Sequence, residues 1–145
     1  VRYFKGVRAS LKRDGIFFLD TFGGSDSMRE IEEPRKIAPR TGGGHGSPGF
    51  TYVWEHHKYD PINGDMTCYI HFRFADGSEL KRAFEYDWRL WTIPETLDIL
   101  ADAGFSRSTV YWEGTDKNGK GNGVFKPSKH GEACPSFIAY IVAEP

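Results

Sequence analysis

The sequence lacks any long apolar segment. Its longest apolar run, about Phe137 to Ala143, is much shorter than the ~20 residues that a membrane-spanning helix needs. No signal-peptide pattern opens the chain, and the two cysteines, Cys68 and Cys134, are too few to suggest a disulfide framework. We therefore expect a cytoplasmic protein with no membrane partner.

Neither sign of charge is in excess. Nineteen basic and 20 acidic side chains give a net charge of −1, and the two signs are interspersed along the chain. Proteins that bind nucleic acids usually carry a clustered basic patch, so we expect no nucleic-acid partner. The length of 145 residues predicts one domain, spanning residues 1–145.

Several common site motifs are also missing. The bare G-x-G-x-G patterns at Gly42–Gly46 and Gly119–Gly123 lack the preceding strand and following helix that a nucleotide loop requires. We interpret both as flexible loops, and residues 42–49 as either a lid or a disordered segment. Cys68 and His71 are three apart on a predicted strand, which places them on opposite faces. No His or Cys spacing is typical of zinc, so we expect no metal site.

Aromatic residues, in contrast, are abundant at 15% of the chain. The most distinctive stretch is Tyr86–Glu95, which leads into a helix. Thr92 and Glu95 form a capping-box pattern, Pro94 suits a first helical turn, and Gly104 is a typical helix end.

The remaining elements are predicted from periodicity. Residues 1–13 have the pattern of an amphipathic helix, and Ile16–Leu19 that of a strand buried on both faces. A polar stretch over residues 25–49 is predicted to be irregular, with a short helix near Ser27–Glu33. The other predicted strands are Phe50–Tyr59, Asp65–Phe74, Glu79–Tyr86, Ser108–Glu113 and Ser136–Ala143. The last two are predicted to pair antiparallel, joined by a long polar connection over residues 114–135.

A two-residue turn at Asp76-Gly77 would fix the register of one hairpin. It predicts that His71 shares a face with Leu80, Arg82, Phe84 and Tyr86.

Candidate site residues come from the aromatic and charged side chains around this stretch. We predict a substrate pocket for a small organic molecule, with His71 as the most plausible base; its other members are Trp54, Tyr86, Trp88, Arg89 and Glu113. The alternative is a packed core in which Asp87 and Arg89 form a structural ion pair. Asp20 and Gly23 follow a predicted strand, where ligands of open α/β sheets bind.

Leu11–Phe17 reads Leu-Lys-Arg-Asp-Gly-Ile-Phe. It resembles the L-K-P-G-G-x-F approach to the fifth strand of a known family, the class I S-adenosylmethionine-dependent methyltransferases, with Arg13-Asp14 in place of Pro-Gly. Five further segments are similar to the second half of a group of bacterial methyltransferases without an assigned substrate: Phe50–Glu55, Tyr86–Glu95, Ala103–Phe105, Tyr111–Asp116 and Ile138–Ala143.

The resemblance implies an α/β fold that looks α+β. It would consist of strands five to seven of a Rossmann-like methyltransferase sheet, with an inserted three-stranded antiparallel sheet over residues 50–87. The cofactor would be S-adenosylmethionine, with Asp20 and Gly23 only bordering it. The glycine-rich half that holds most of the cofactor is missing, and the chain starts at Val1 within a helical pattern, as a piece of a longer fold would. We therefore expect the substrate-side half of a small-molecule methyltransferase, inactive without its other half. The alternative is a non-catalytic binding or oligomerisation module that self-associates through an exposed sheet edge.

Overall fold

A computed structural model of the chain describes residues 1–39 and 48–145. In this part the protein is a mixed α/β structure with two helices and two four-stranded sheets, and all paired strands are antiparallel. Contacts divide the chain into one unit of Val1–Ser25 with Trp91–Pro145 and a second of Asp26–Leu90. No helix in the described ranges is long and apolar enough to cross a membrane.

The elements follow in chain order. They are α1 (Arg2–Ser10), β1 (Phe17–Gly23), a short 3-10 helix (Ser25–Met28), β2 (Ile31–Ile37), β3 (Phe50–Tyr59), β4 (Asp65–Phe74), β5 (Glu79–Arg89), α2 (Ile93–Asp102), β6 (Arg107–Thr115), β7 (Gly121–Pro127) and β8 (Phe137–Glu144).

The first unit contains a sheet in the order β1-β8-β6-β7. The predicted antiparallel pairing of the last two long strands is confirmed, with Val110 opposite Ile141. Because β1 and β6 each run antiparallel to β8, β1 and β6 run in the same direction.

Both helices cover one face of this sheet. Leu100 of α2 and Ile141 of β8 are fully buried at the centre. Phe4 of α1 and Phe17 of β1 pack against the same cluster, and their rings lie 5.7 Å apart. Burial of these apolar side chains is the main source of stability in this unit.

The opposite face of the sheet is open, which corrects the prediction that residues 16–19 are buried on both faces. Phe18 is 56% exposed and Ile138 is 51% exposed. Phe18 packs beside Tyr140, with ring centroids 4.8 Å apart. Alternation along β1 sends Phe17 to the covered face and Phe18 to the open one.

Helix α2 confirms the capped helix predicted from the sequence. The Glu95 backbone N–H donates to Thr92 Oγ1 at 3.3 Å, and the Thr92 backbone N–H donates to Glu95 Oε2 at 2.8 Å. After the helix, Gly104 adopts a positive φ of 92°, and the Phe105 N–H reaches the Leu100 carbonyl at 3.1 Å. Both ends of the helix are therefore determined by local sequence.

Replacing Thr92 with alanine should lower the free energy of unfolding by about 1 kcal/mol, because the alanine leaves the Glu95 N–H without its acceptor. Urea denaturation followed by circular dichroism measures this loss. Thr92→Ser keeps the hydroxyl and is the matched control. Equal stability of the alanine and serine variants would contradict a stabilising cap.

The second unit is one sheet in the order β2-β3-β4-β5, so the predicted three-stranded sheet has a fourth strand. The segment predicted to be irregular, with a helix near Ser27–Glu33, instead forms β2 at the edge, where Pro34 opposes Val53. Proline is tolerated on an edge strand because its missing N–H can face away from the ladder. The predicted lid or disordered segment at residues 42–49 and the first glycine pattern lie largely outside the described residues.

The β4–β5 hairpin differs from prediction by one residue of register. Arg73 opposes Glu79 and the Phe74 N–H donates to the Ser78 carbonyl, so the loop has three residues rather than two. A shift of one residue exchanges the two faces of a strand.

A bulge follows in the same hairpin. Ile70 opposes Phe84 and Phe72 opposes Leu80, so three residues of β5 face the single residue His71. As a result Leu80, Phe84 and Tyr86 lie on the face opposite to His71, and the predicted shared face is wrong for these three residues. Arg82, the fourth predicted member, does line the same cavity as His71.

The second glycine pattern is a hairpin and not a flexible loop. Asp116 accepts from the N–H groups of Asn118 and Lys120, which closes a turn between β6 and β7. The Gly123 N–H then donates to Glu113 Oε1 at 2.7 Å. Much of the predicted connection over residues 114–135 is thus the strand β7.

Candidate functional site

Three of the predicted substrate-binding residues form an aromatic cluster on one face of the second unit. The Tyr86 and Trp88 ring centroids are 4.7 Å apart, and Trp54 lies 5.6 Å from Tyr86 and 6.0 Å from Trp88. Trp88 is 41% exposed, so the cluster presents a ring surface to solvent.

The sequence assembles this cluster by alternation and by one small residue. Trp54 lies on β3, whereas Tyr86 and Trp88 lie two apart on β5, so all three point to one face. Between them on β4 is Cys68, which is fully buried. Its short side chain leaves room for rings from the two flanking strands to meet.

Burial also controls the acid–base properties of this face. It raises the pKa of the Cys68 thiol to about 11, and the nearby Glu55 charge adds to the effect. Burial is likewise the main cause of a raised pKa at Tyr52, helped by Tyr86. Cys68 therefore stays a neutral thiol near pH 7 and does not act as a nucleophile.

A groove of about 590 Å³ borders the exposed Trp88 ring at the end of the sheet. Its size is in the range of small-molecule sites. It is lined by Lys58, Asp60, Asp65, Met66, Thr67, Asp87, Trp88 and Arg89. Arg89, predicted to bind substrate, thus lies beside Trp88 among carboxylates, and Asp87 accepts a hydrogen bond from Thr67 Oγ1 at 2.9 Å.

His71, the predicted base, lies on the other face of the sheet. It is only 6% exposed, and both its ring nitrogens are engaged. Nδ1 accepts from the Arg82 backbone N–H at 2.9 Å, which fixes the proton on Nε2, and Nε2 donates to Glu55 Oε2 at 2.6 Å. A histidine with both nitrogens occupied is placed to hold other groups in position rather than to accept a proton.

Glu55 links His71 to a second histidine that the sequence did not single out. Its other oxygen, Oε1, lies 2.7 Å from His57 Nδ1. Burial raises the Glu55 pKa, but the hydrogen bonds from His57 and His71 outweigh it, and the pKa is lowered overall. Glu55 is therefore a carboxylate at neutral pH, and His57 Nδ1 is the donor to it. Only the β3–β4 register brings these residues together, so no local sequence signal indicated them.

This polar face also holds a network of charges around a cavity of about 250 Å³. Arg73 pairs with Glu32 and Glu79, each at 3.0 Å, and Lys81 lies 3.7 Å from Glu79. Arg82 lines the same cavity. Within residues 1–39 and 48–145, no group of three or more His, Cys, Asp or Glu side chains could hold a metal ion.

Of the three predicted site residues of the first unit, two have local structural roles. The Glu113 carboxylate receives the Gly123 N–H. A Cβ added at Gly23 would come within 2.5 Å of the Phe137 ring, so glycine is needed there for close packing. Asp20 is exposed on β1, opposite Tyr140.

A second cavity, of about 480 Å³, lies in the first unit between α2, β6 and residues 128–131. Trp112 forms one wall, and Gly131 lies flat on its indole, where a Cβ would approach to 2.9 Å. Ser128 Oγ donates to the His130 carbonyl at 2.6 Å and accepts from the His130 N–H at 3.2 Å. This short turn keeps the segment folded over the ring.

In comparisons with known proteins, no family model matches the chain, and no curated protein matches it significantly.

Proposed function

We propose that this chain is the C-terminal, substrate-side half of a class I S-adenosylmethionine-dependent methyltransferase of small molecules. The observation that carries the proposal is the strand order β1-β8-β6, in which the middle strand runs against two strands of common direction. The family's sheet ends in the same way, with strand seven inserted antiparallel between strands five and six. Both helices on one face suit the same comparison.

Two exposed surfaces of the first unit, one strand edge and one sheet face, support the proposal that a second half completes the fold. Among the described strands, β1 pairs only with β8, so one of its edges is unpaired. The face that carries Phe18, Ile138 and Tyr140 has no helix of this unit packed on it. In a complete fold, strand four and helices of the first half would cover this edge and this face.

The described residues do not form a cradle for the cofactor. Phe137 fills the space beside Gly23, and Asp20 stands on an exposed strand face. We therefore assign no step of methyl transfer to this chain. Its proposed contribution is the aromatic wall of Trp54, Tyr86 and Trp88, which would align an organic substrate and exclude water from it.

Calorimetric titration with S-adenosylmethionine tests this proposal. The 145-residue chain alone should give no binding heat, whereas the product of the whole coding region from which it comes should bind in the micromolar range. Micromolar binding by the chain alone would contradict the division of contacts between two halves. No binding by the whole product would contradict the methyltransferase assignment.

The unpaired edge of β1 also favours a second candidate, a non-catalytic module that self-associates. Exposed strand edges pair readily with other chains. Sedimentation of the chain, diluted about a hundredfold from micromolar concentrations, distinguishes the self-associating module from the methyltransferase half. A stable dimer, together with a whole product that binds no cofactor, would favour this second function.

A further inference from the structure

Arg82 has a backbone conformation that is unusual for its residue type. Its φ is 48°, and no other non-glycine residue in the described part of the chain has a positive φ. This region is disfavoured for residues with a Cβ, and such outliers persist only where the surroundings hold them. Here the holding group is His71, whose Nδ1 accepts the Arg82 N–H at 2.9 Å.

The strained backbone presents a guanidinium group without a carboxylate partner. The Arg82 Cζ atom lies 4.4 Å from the centre of the Tyr69 ring. Within residues 1–39 and 48–145 Arg82 makes no ion pair, whereas its neighbours Arg73 and Lys81 both do. Its positive charge is therefore available to a ligand.

The His57 imidazole and the hydroxyl of Tyr69 itself are two further polar groups at the Tyr69 ring. His57 packs against Tyr69 with ring centroids 5.0 Å apart, and its Nδ1 is bound by Glu55. Neither His57 Nε2 nor the Tyr69 hydroxyl has a hydrogen-bond partner in the described ranges. No buried side-chain nitrogen or oxygen there is left unsatisfied, so the hydroxyl of the otherwise buried Tyr69 reaches solvent. The His57 side chain is itself 42% exposed.

We propose that Arg82, Tyr69 and His57 form a binding site for a small oxyanion of the phosphate type. The guanidinium and the tyrosine hydroxyl donate to the anionic oxygens, and His57 Nε2 accepts from a P–OH group. His71 is the positioning residue, because its two nitrogens hold the Arg82 backbone and the Glu55 carboxylate that orients His57. The site lies outside the aromatic wall and does not depend on the methyltransferase proposal.

The surrounding acidic groups are mostly neutralised. Glu55 is shared by two imidazoles, and Glu32 and Glu79 pair with Arg73. Glu85 lies directly opposite Tyr69 and makes no ion pair with another described residue. Its charge opposes an anion, so Glu85→Gln should tighten binding by about threefold.

The test is an NMR titration with inorganic phosphate near pH 7 at constant ionic strength, following the His57 and Tyr69 side-chain signals. Arg82→Gln should weaken binding by about tenfold or more. Arg35→Gln removes the same charge from the opposite face and should change affinity by less than about twofold. Equal effects of the two variants, or no saturable shift with phosphate, would overturn the proposal.

Two further ligands define what the site recognises. Sulfate has no hydroxyl at this pH and should bind more weakly than phosphate; equal binding would contradict the role of His57 as acceptor. Methyl phosphate, which is mainly a dianion without a hydroxyl near pH 7, should also bind more weakly than inorganic phosphate; tighter binding of the ester would contradict the role of His57 as acceptor.

Arg82→Gly separates binding from folding. Glycine adopts this φ without strain, so the variant should unfold at a urea concentration no lower than that of the wild type while losing phosphate binding. A variant that binds phosphate as well as the wild type would show that the side chain is not part of the site.

Discussion

Replacing Gly24 with alanine should lower the free energy of unfolding by about 3 kcal/mol, from the combined cost of a left-handed backbone and of overpacking. Gly24 has a φ of 106°. A Cβ there would lie 2.6 Å from the Pro135 carbonyl carbon and 2.8 Å from the Cys134 carbonyl oxygen. These are backbone atoms, so no side-chain rotation can relieve the clash.

Gly119 provides the matched control for this substitution. Its φ is 75°, but a Cβ added there meets nothing within 4 Å. Gly119→Ala should therefore cost only the conformational term, about 1 kcal/mol. Urea denaturation of both variants separates the two contributions. Equal losses would mean that the close approach of residues 134 and 135 has no energetic weight.

The same contacts explain why two glycines follow each other at the end of β1. Gly23 accommodates the Phe137 ring and Gly24 accommodates the backbone of Pro135. The sequence suggested that this turn borders a cofactor, because ligands often bind beyond strand ends. Packing within the unit already accounts for both glycines, so their presence alone does not indicate a ligand.

Local features of the fold were predictable from the sequence. The α2 cap depends on residues three apart, and the strands β3 and β4 follow from alternating side chains bounded by turns. The edge strand β2 was not, because Pro34 and its charged neighbours contradict the usual strand pattern. Its pairing with β3 is determined by the sheet and not by its own residues.

The candidate site shows why register is harder to predict than strand position. Loop length decides it, and Ala75-Asp76-Gly77 forms a three-residue loop where two were expected. That error placed His71 beside Tyr86. The bulge opposite His71 is a second departure from alternation, and it accompanies the unusual Arg82 conformation. The network around Glu55 depends instead on the β3–β4 register.

Replacing His71 with leucine should lower the free energy of unfolding by about 3 kcal/mol, because two polar partners lose their bonds at once. The partly buried Glu55 carboxylate would lose the 2.6 Å donor, and the strained Arg82 N–H would lose its acceptor. His57→Leu is the matched control. It removes one bond to the same carboxylate from a side chain that is 42% exposed, so it should cost less than about 1 kcal/mol. Similar losses for the two variants would contradict a central role of His71.

The pH dependence of unfolding provides a second readout for the same network. Burial is the largest single effect on the pKa of Glu55 and raises it. The hydrogen bonds and charges of His57 and His71 together outweigh burial, so the pKa lies below its ordinary value of 4.5. A carboxyl group with a lowered pKa in the folded state stabilises the protein above its unfolded pKa, and that contribution disappears as the pH falls through the folded value. The wild type should therefore lose stability below about pH 4.5, and this slope should be shallower in His71→Leu because the folded pKa of Glu55 rises towards the unfolded one. Urea midpoints measured between about pH 3 and pH 6 test this directly. Parallel curves for the wild type and the variant would show that His71 does not stabilise the Glu55 carboxylate.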